Sequence, residues 1–257
     1  MGINRRDFLR ISGIASLWGL GGKAAFEILK PGALEAQTRV PLSKAKKWAM
    51  VIDTRKFKTE GDFQRCIDAC NKAHNIPKVD NVRQEIKWIW KEQYENAFPD
   101  DQNQFLPEGM EHKPFLVLCN HCTNPPCVRV CPTQATFKRP DGIVMMDYHR
   151  CIGCRFCMAG CPYGSRSFNW RDPRKFIKET TNPEYPTRSK GVVEKCNFCE
   201  ERIAKGLYPA CVEAGNGAMA FGDLDNPNSD VRKLLKENYS IRRKPSLGTQ
   251  PNIYYLV

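Results

Sequence analysis

Cysteine is the residue type whose spacing most restricts the chemistry of this 257-residue chain, which contains 13 cysteines. Two central runs each contain four of them, and each run is followed directly by proline. The runs are Cys119, Cys122, Cys127 and Cys131, then Cys151, Cys154, Cys157 and Cys161. A C-x2-C pair, Cys196 and Cys199, is followed by Cys211. Three closely spaced thiolates can bind three irons of one cubane while a fourth binds a neighbouring cubane. The spacing therefore predicts an electron carrier with several [4Fe–4S] clusters.

The pairing of the two central runs follows a rule of two-cluster bacterial ferredoxins, in which each run contributes its fourth Cys to the other run's cluster. The ligands predicted for cluster 1 are Cys119, Cys122, Cys127 and Cys161. Those predicted for cluster 2 are Cys151, Cys154, Cys157 and Cys131. Five cysteines remain, namely Cys66, Cys70, Cys196, Cys199 and Cys211.

The elements that must position these cysteines are short. Apolar runs predict strands at 48–53 and 115–118, and a helix at 63–72 carries Cys66 and Cys70. Between the two central runs, residues 135–147 have the pattern of a strand, a tight turn and a second strand. A hairpin flanked by two Cys runs is the layout of a two-cluster ferredoxin.

Outside the Cys runs the patterns are weaker. Apolar residues at three- and four-residue steps predict a helix at 81–98, and the polar stretch that follows, 100–113, has the composition of a loop. Ser229 is expected to cap a last helix that ends near Asn238, and residues 252–256 to form a strand.

The first 36 residues resemble an export signal. They contain the pair Arg5-Arg6 and a short, weakly polar segment from Ile11 to Leu20. Twin-arginine signals serve proteins that are exported already folded, which suits a cofactor inserted in the cytoplasm. We therefore expect a periplasmic protein whose thiols are ligated before they meet an oxidising compartment, so that disulfides are not formed.

Charge and hydropathy limit the partners. The formal net charge is +12, but three oxidised clusters with thiolate ligands would contribute about −6. Much of the positive excess then offsets cluster charge, and no long Lys/Arg block predicts nucleic-acid binding. No apolar run reaches eighteen residues, which argues against a transmembrane helix in the mature chain. Contact with a membrane is expected only through a partner.

Over residues 47–225 the chain resembles the four-cluster iron–sulfur subunits of membrane oxidoreductases. That resemblance implies an α+β fold of two nested bacterial-ferredoxin-like modules, with helical and loop insertions. The implied segments are a signal (1–36), an outer module (47–76 with 190–225), an insertion (77–113), an inner two-cluster module (114–171), a connecting loop (172–189) and a C-terminal helix and tail (226–257).

Two departures from the family's pattern reduce the number of clusters. Counted from the strand at 51–53, Phe57 stands where the family's first run begins with Cys, and Gly215 replaces the last run's fourth Cys. One cluster thereby loses three of its four ligands and is expected to be absent. The opposite cluster, cluster 3, keeps all of its implied ligands, Cys196, Cys199, Cys211 and Cys70. Cys66 is left without a cluster.

Three clusters and a twin-arginine signal most resemble the periplasmic subunit of DsrO type in the DsrMKJOP complex of sulfur and sulfate metabolism. This resemblance implies a non-catalytic electron-transfer subunit. Its partners would be an integral, NrfD-like membrane subunit that interacts with quinone and a multihaem cytochrome c or another redox subunit.

Two alternatives stay open. One is the electron-transfer subunit of an exported molybdopterin oxidoreductase, which differs in partner rather than in mechanism. The other is a zinc-stabilised binding module, although zinc gives no reason for the C-x2-C-x2-C-x3-C-P run. The four histidines, at 74, 112, 121 and 149, are interpreted as hydrogen-bonded loop residues. Basic residues near the runs, Arg150, Arg155, Arg166 and Lys195, either raise cluster potentials or only increase solubility.

Overall fold

The computed structural model describes residues 45–177 and 182–257. The predicted signal at 1–36 lies outside these residues. In the described part of the chain no helix is both long and apolar enough to cross a membrane.

The strands are short and run through the whole described part. They are β1 (Trp48–Asp53), β2 (Ile89–Gln93), β3 (Pro114–Leu118), β4 (Thr136–Lys138), β5 (Val144–Met146), β6 (Ser167–Phe168), β7 (Val193–Glu194), β8 (Met219–Asp223), β9 (Ser240–Ile241) and β10 (Ile253–Leu256). The α-helices are α1 (Glu60–His74), α2 (Tyr94–Ala97), α3 (Pro126–Arg129), α4 (Phe156–Ala159), α5 (Glu200–Ala204), α6 (Ala210–Ala214) and α7 (Asp230–Glu237). Short 3-10 turns lie at 54–56, 82–84, 99–101, 173–176 and 245–247.

A four-stranded sheet in the order β8-β1-β10-β9 joins strands of the outer module, β1 and β8, to strands of the C-terminal tail, β10 and β9. All six residues of β1 are buried, as expected of a strand that carries core on both faces. Strand β8 pairs with it antiparallel and β10 pairs with it parallel. Because β1 precedes the inner module in sequence and β8 follows it, their pairing agrees with the nested α+β arrangement.

Helix α1 carries Cys66 and Cys70 and is longer than predicted. The Asp62 carboxylate accepts hydrogen bonds from the backbone N–H groups of Lys58 and Thr59, at 3.0 and 2.7 Å, and fixes the start of the helix. Its buried residues, Phe63, Cys66, Cys70 and His74, lie three or four positions apart and so share one face. This helix packs against α6, which carries Cys211.

The inner module contains the predicted hairpin, β4 paired antiparallel with β5. The predicted strand at 115–118 is β3, and its last four residues are buried. Each of the two short helices α3 and α4 contains the third Cys of its run, Cys127 or Cys157. Strand β6 leaves the module and pairs with β7, which leads into the Cys196 loop.

The prediction of a helix over 81–98 is wrong. Residues 89–93 form β2, which pairs antiparallel with β3 along its full length. The apolar residues that favoured a helix belong to different elements. Ile86 lies before β2, Ile89 and Trp90 are adjacent in β2, and Tyr94 begins α2. The segment that contains β2 is therefore attached to β3 by a two-stranded sheet.

The C-terminal segment confirms the predicted helix and strand. Ser229 caps α7 by accepting a hydrogen bond from the Arg232 N–H at 3.2 Å. After α7 the chain passes along the first Cys loop of the inner module. There the N–H groups of Thr123 and Asn124 donate to the Gln250 and Thr249 carbonyls, at 2.9 and 3.0 Å. The tail thus fastens the inner loop to the outer sheet.

A buried polar network joins the outer module, the insertion and the inner module. Arg188 forms a fully buried ion pair with Glu194 on β7, with N–O 2.8 Å. Its guanidinium also donates to the carbonyls of His74 and Asn75 at the end of α1. Glu194 in turn accepts from the Trp88 indole N–H at 3.0 Å and from the Asn169 amide. We call these residues (Arg188, Glu194, Trp88, Asn169) the junction network.

Candidate metal centres

The C-x2-C loops that open the three Cys runs share an uncommon backbone turn. The residue before the second Cys has a positive φ in each: 41° at His121, 72° at Gly153 and 61° at Phe198. Non-glycine residues rarely adopt this region, and when they do the surrounding structure holds them there, often at functional sites. The common turn indicates that the three loops have the same structural role.

Four thiols from the two central runs meet at one small cavity. Its lining includes Cys119, Cys122, Cys127 and Cys161, the four residues predicted to hold cluster 1. Burial raises the pKa of the Cys122 thiol to about 12, and negative charge on Cys119, Cys127 and Cys161 contributes to this rise. Thiols packed this closely in an apolar environment need a positively charged occupant before they can ionise together.

Some polar side chains in the same cavity have atoms without a hydrogen-bond partner. Among the described residues, Nη2 of Arg166 and both polar atoms of the Asn120 side chain have no hydrogen-bond partner, although all are buried. Such atoms are rare in folded proteins. Four thiols, a cation and free N–H donors fit an iron–sulfur cluster, whose sulfur atoms accept hydrogen bonds.

The residues predicted for cluster 2 lie nearer the surface. Cys131, Cys151 and Cys157 pack in one apolar cluster around Val144. Burial raises the pKa of Cys157, with further contributions from charge on Cys127 and Cys151. Cys154 lies in the loop between Cys151 and Cys157. Of the four, only Cys157 is fully buried.

The structure also brings together the four residues predicted for cluster 3. Cys70, Cys196, Cys199 and Cys211 are 3–7% exposed. The pKa of Cys70 is raised well above its usual value, first by burial and then by charge on Cys199, Cys196 and Cys211. Cys70 and the Cys196–Cys211 run, which lie far apart in sequence, therefore converge, and their binding of a cluster stays a prediction.

Cys66 lies close to this third group as well. It is fully buried, one turn before Cys70 on α1. Burial raises the pKa of its thiol to about 11, and charge on Cys66 contributes to the raised pKa of Cys211. Its expected lack of a cluster stays a prediction.

The positions at which the family's fourth cluster would be ligated are packed with other side chains. The Phe57 ring contacts that of Phe63, with centroids 4.9 Å apart. A Cβ added to Gly215 would lie 3.2 Å from the Cys211 carbonyl oxygen and 3.3 Å from Cγ of Met219. A cysteine at position 215 would thus require Met219 to move.

The position of His74 next to Cys70 was not predicted from the sequence. It is the last residue of α1, not a loop residue, and is buried. Its Nδ1 lies 3.0 Å from the Cys70 carbonyl oxygen and 3.6 Å from the Cys70 sulfur, and its Nε2 lies 3.0 Å from Glu201. The ligand atoms of His74, Cys199 and Glu201 all lie within 4.8 Å of one another. The only sequence signal was the four-residue step from Cys70 to His74.

The other histidines differ in environment. His121 does lie in a Cys loop, where its Nδ1 accepts from the Val144 N–H at 3.0 Å. Its ring stacks on Phe198 of the third loop, with centroids 3.7 Å apart. This stack joins the Cys119–Cys122 loop to the Cys196–Cys199 loop. His112 and His149 are exposed.

Comparison with known proteins agrees with this geometry. Residues 110–178 match the model of the 4Fe-4S dicluster domain. The chain is 39% identical to the Hdr-like menaquinol oxidoreductase iron-sulfur subunit 1 of Archaeoglobus fulgidus, over 98% of this chain and 97% of the relative. It is 38% identical to the iron-sulfur cluster-binding subunit of menaquinone reductase of Nitratidesulfovibrio vulgaris, over 82% and 88%.

A third relative is the iron-sulfur subunit of a putative dimethyl sulfoxide reductase of Halobacterium salinarum, at 39% identity over 76% of each chain. These relatives are described as iron–sulfur subunits of oxidoreductases, and the matched domain leaves the zinc alternative without support. The chain belongs to the family of ferredoxin-type [4Fe–4S] electron-transfer subunits of membrane oxidoreductase complexes, and it is not itself the catalytic subunit.

Proposed function

We propose that this chain carries three [4Fe–4S] clusters and relays electrons between a quinone-interacting membrane subunit and a redox partner, in a periplasmic, membrane-associated respiratory complex. The bound clusters supply one-electron transfer. The chain supplies twelve thiols: Cys119, Cys122, Cys127 and Cys161 for cluster 1, Cys151, Cys154, Cys157 and Cys131 for cluster 2, and Cys196, Cys199, Cys211 and Cys70 for cluster 3.

The observation that carries the proposal is the convergence of Cys70 with Cys196, Cys199 and Cys211. Charge on all three neighbours raises the pKa of Cys70, and all four thiols are buried. Local spacing does not require this meeting, because α1 and the last Cys run are separated by the whole inner module. A role in holding a third cluster explains why both segments keep their cysteines.

Contacts between the three groups support a linear order of clusters. The stack of His121 on Phe198, with ring centroids 3.7 Å apart, joins the first and third Cys loops and supports a position of cluster 1 beside cluster 3. Helices α3 and α4, which carry Cys127 and Cys157, pack against each other and support a position of cluster 1 beside cluster 2. The proposed sequence is therefore 3, 1, 2, with the half-exposed thiols of Cys151 and Cys154 at the surface end, where a redox partner can approach.

The proposed partners are an NrfD-like integral membrane subunit and a multihaem cytochrome c or other redox subunit, with a role in sulfur or sulfate metabolism. Similarity to a menaquinol oxidoreductase subunit and a menaquinone reductase subunit supports the link to quinone. Export through the twin-arginine route rests on Arg5-Arg6 and the segment that follows.

A second candidate is the electron-transfer subunit of an exported molybdopterin oxidoreductase. The similarity to the iron-sulfur subunit of a putative dimethyl sulfoxide reductase favours it. Affinity purification of the tagged chain from its native membranes separates the two. A quinone-interacting subunit with a multihaem cytochrome supports the first proposal, and a molybdopterin-containing subunit supports the second.

The number of clusters is tested by iron and acid-labile sulfide analysis of anaerobically purified protein. We expect about twelve irons per chain. About sixteen would require a fourth site, and about eight would remove the assignment of Cys70.

Paired variants then test the ligands of cluster 3. Cys70→Ala should reduce the iron content by about four per chain, whereas Cys66→Ala, one turn away on the same buried face of α1, should leave it unchanged. Loss of iron in the Cys66 variant, with retention in the Cys70 variant, would reverse the assignment.

A further inference from the structure

Arg166 is a buried cation at the boundary of two proposed clusters. It is 5% exposed and lies just before β6. It lines the cavity that holds Cys119, Cys122, Cys127 and Cys161. Its surroundings also include Cys157 of the neighbouring group. A guanidinium keeps its charge under all ordinary conditions, so this position holds a permanent positive charge inside the fold.

The guanidinium is only partly satisfied by the protein. Nη1 donates to Oγ1 of Thr136 at 3.1 Å and lies 3.7 Å from Sδ of Met146. Nη2 is buried with no partner among the described residues. In the same described part of the chain no carboxylate lies within ion-pair distance of Arg166. Burying such a charge without an anion is strongly unfavourable.

Thiolates are the anions nearest to it. Cys119 and Cys127 line the same cavity as Arg166, and Cys157 is also among the groups that interact with it electrostatically. Because thiols carry negative charge when they bind metal, a cluster held by these residues would supply the anion that the guanidinium lacks.

We propose that Arg166 is a positioning residue that donates a hydrogen bond from Nη2 to sulfur in the Cys119–Cys161 cavity and raises the reduction potential of cluster 1. This inference rests on the proposed function. Reduction adds one negative charge to the cluster, and a buried cation with a hydrogen bond to sulfur stabilises the reduced state more than the oxidised one. Cluster 2 should respond less, through Cys157, and cluster 3 should not respond.

A second buried cation, Lys195, also lies near Cys119 and Cys127. It is 1% exposed and donates to the Val144 carbonyl and, at 2.7 Å, to the Cys196 carbonyl. Its ammonium is held by backbone carbonyls, whereas Nη2 of Arg166 has no hydrogen-bond partner among the described residues. Lys195 supplies background charge that remains when Arg166 is changed.

The test is a redox titration of the full-length, anaerobically purified holoprotein, followed by electron paramagnetic resonance. Wild type, Arg166→Gln and Arg166→Lys are compared with Arg150→Gln. Arg150 precedes a proposed ligand in sequence, but its side chain is 65% exposed and pairs with Asp147 at 3.3 Å. The control substitution removes the same charge from a solvent-screened position.

For Arg166→Gln we expect one component to become at least tenfold harder to reduce at fixed potential, a shift of about 59 mV to lower values. Arg166→Lys keeps the charge but loses the planar donor, so its shift should exceed threefold and stay below that of Gln. Arg150→Gln should change the ratio of reduced to oxidised cluster at fixed potential by less than twofold. The component assigned to cluster 3 should titrate as in wild type in every variant.

Iron content measured on the same samples distinguishes a failure of the proposed function from a failure of the inference about Arg166. A wild-type protein without about twelve irons contradicts the proposed function. A fully loaded Arg166→Gln protein whose components all stay within threefold of wild type overturns the inference alone. If the Gln variant does not load, the Lys variant decides: a shift above threefold supports the role of Arg166, and a smaller one overturns it.

Discussion

The inner module and the outer module hold their cysteines in different ways. In the inner module, both Cys runs and the β4–β5 hairpin lie within one continuous segment, and the thiols of Cys131, Cys151, Cys154 and Cys161 are half-buried. In the outer module, Cys70 and the Cys196–Cys211 run are brought together by contacts between distant segments, among them the β1–β8 pairing and the packing of α1 on α6, and all four thiols are buried.

This difference shows where each site derives its stability. The inner site depends on local turns, whereas the outer site depends on contacts between segments far apart in sequence. Closing a long loop is unfavourable in entropy, so the outer site needs strong contacts to hold its two halves together. The sheet and the junction network supply these contacts.

The largest effect is expected from breaking the junction network. Glu194→Gln leaves the guanidinium of Arg188 buried without its anion, and we expect a loss of about 3–5 kcal/mol in the free energy of unfolding. Because the Arg188 guanidinium also binds carbonyls at the end of α1, the outer site should loosen first. Denaturant unfolding measures the loss, and hydrogen exchange shows whether α1 opens before the inner hairpin.

Glu184→Gln is the matched control, since Glu184 pairs with Lys205 at the surface, with its side chain 71% exposed. It should leave the unfolding midpoint nearly unchanged. Equal destabilisation by the two variants would show that the junction network does not hold the modules together.

A smaller effect is expected from the inner loop. Gly153 has a φ of +72°, and a Cβ added to it would overlap the Gly191 carbonyl oxygen. Gly153→Ala should therefore cost about 2–3 kcal/mol, from backbone strain together with this steric overlap. Thermal unfolding of the anaerobic protein measures it.

Gly217→Ala serves as the comparison, because Gly217 has a similar φ of +80° with no atom within 4 Å of the added Cβ. It should cost about 1 kcal/mol, the strain alone. If both variants lose the same stability, the approach of the inner loop to Gly191 contributes nothing.

The smallest effect is expected at the start of α1. Hydrogen bonds from Thr59 and the Lys58 N–H lower the pKa of Asp62 from 3.8 to about 2. A carboxyl whose pKa is lowered on folding stabilises the protein above its unfolded pKa, and this contribution disappears as pH falls from about 4 towards 2. Asp62→Asn should remove that pH dependence and increase hydrogen exchange in the first turn of α1 at about pH 6. A variant with wild-type exchange would argue against this role.

Much of the fold was predictable where a pattern is local. The buried run 48–53, the hairpin around Arg139–Gly142 and the cap at Ser229 were each confirmed, because strand, turn and capping signals lie within a few residues. The helix predicted at 81–98 failed because the partner of β2 is β3, some twenty positions later in the chain. When the apolar pattern of a segment fits both a helix and a strand, the segment that pairs with it decides which of the two forms.

The Cys spacing by itself determined the class of cofactor, since three thiols at these short intervals can bind three irons of one cubane. The same motifs also indicated two nested modules, because they resemble those of the four-cluster iron–sulfur subunits. Only the tertiary structure decided which cysteines lie deep and which reach the surface, that His74 contacts Cys70, and that Arg166 is buried with a free donor. Burial and hydrogen-bond partners are set by segments that meet across the chain, and no local pattern specifies them.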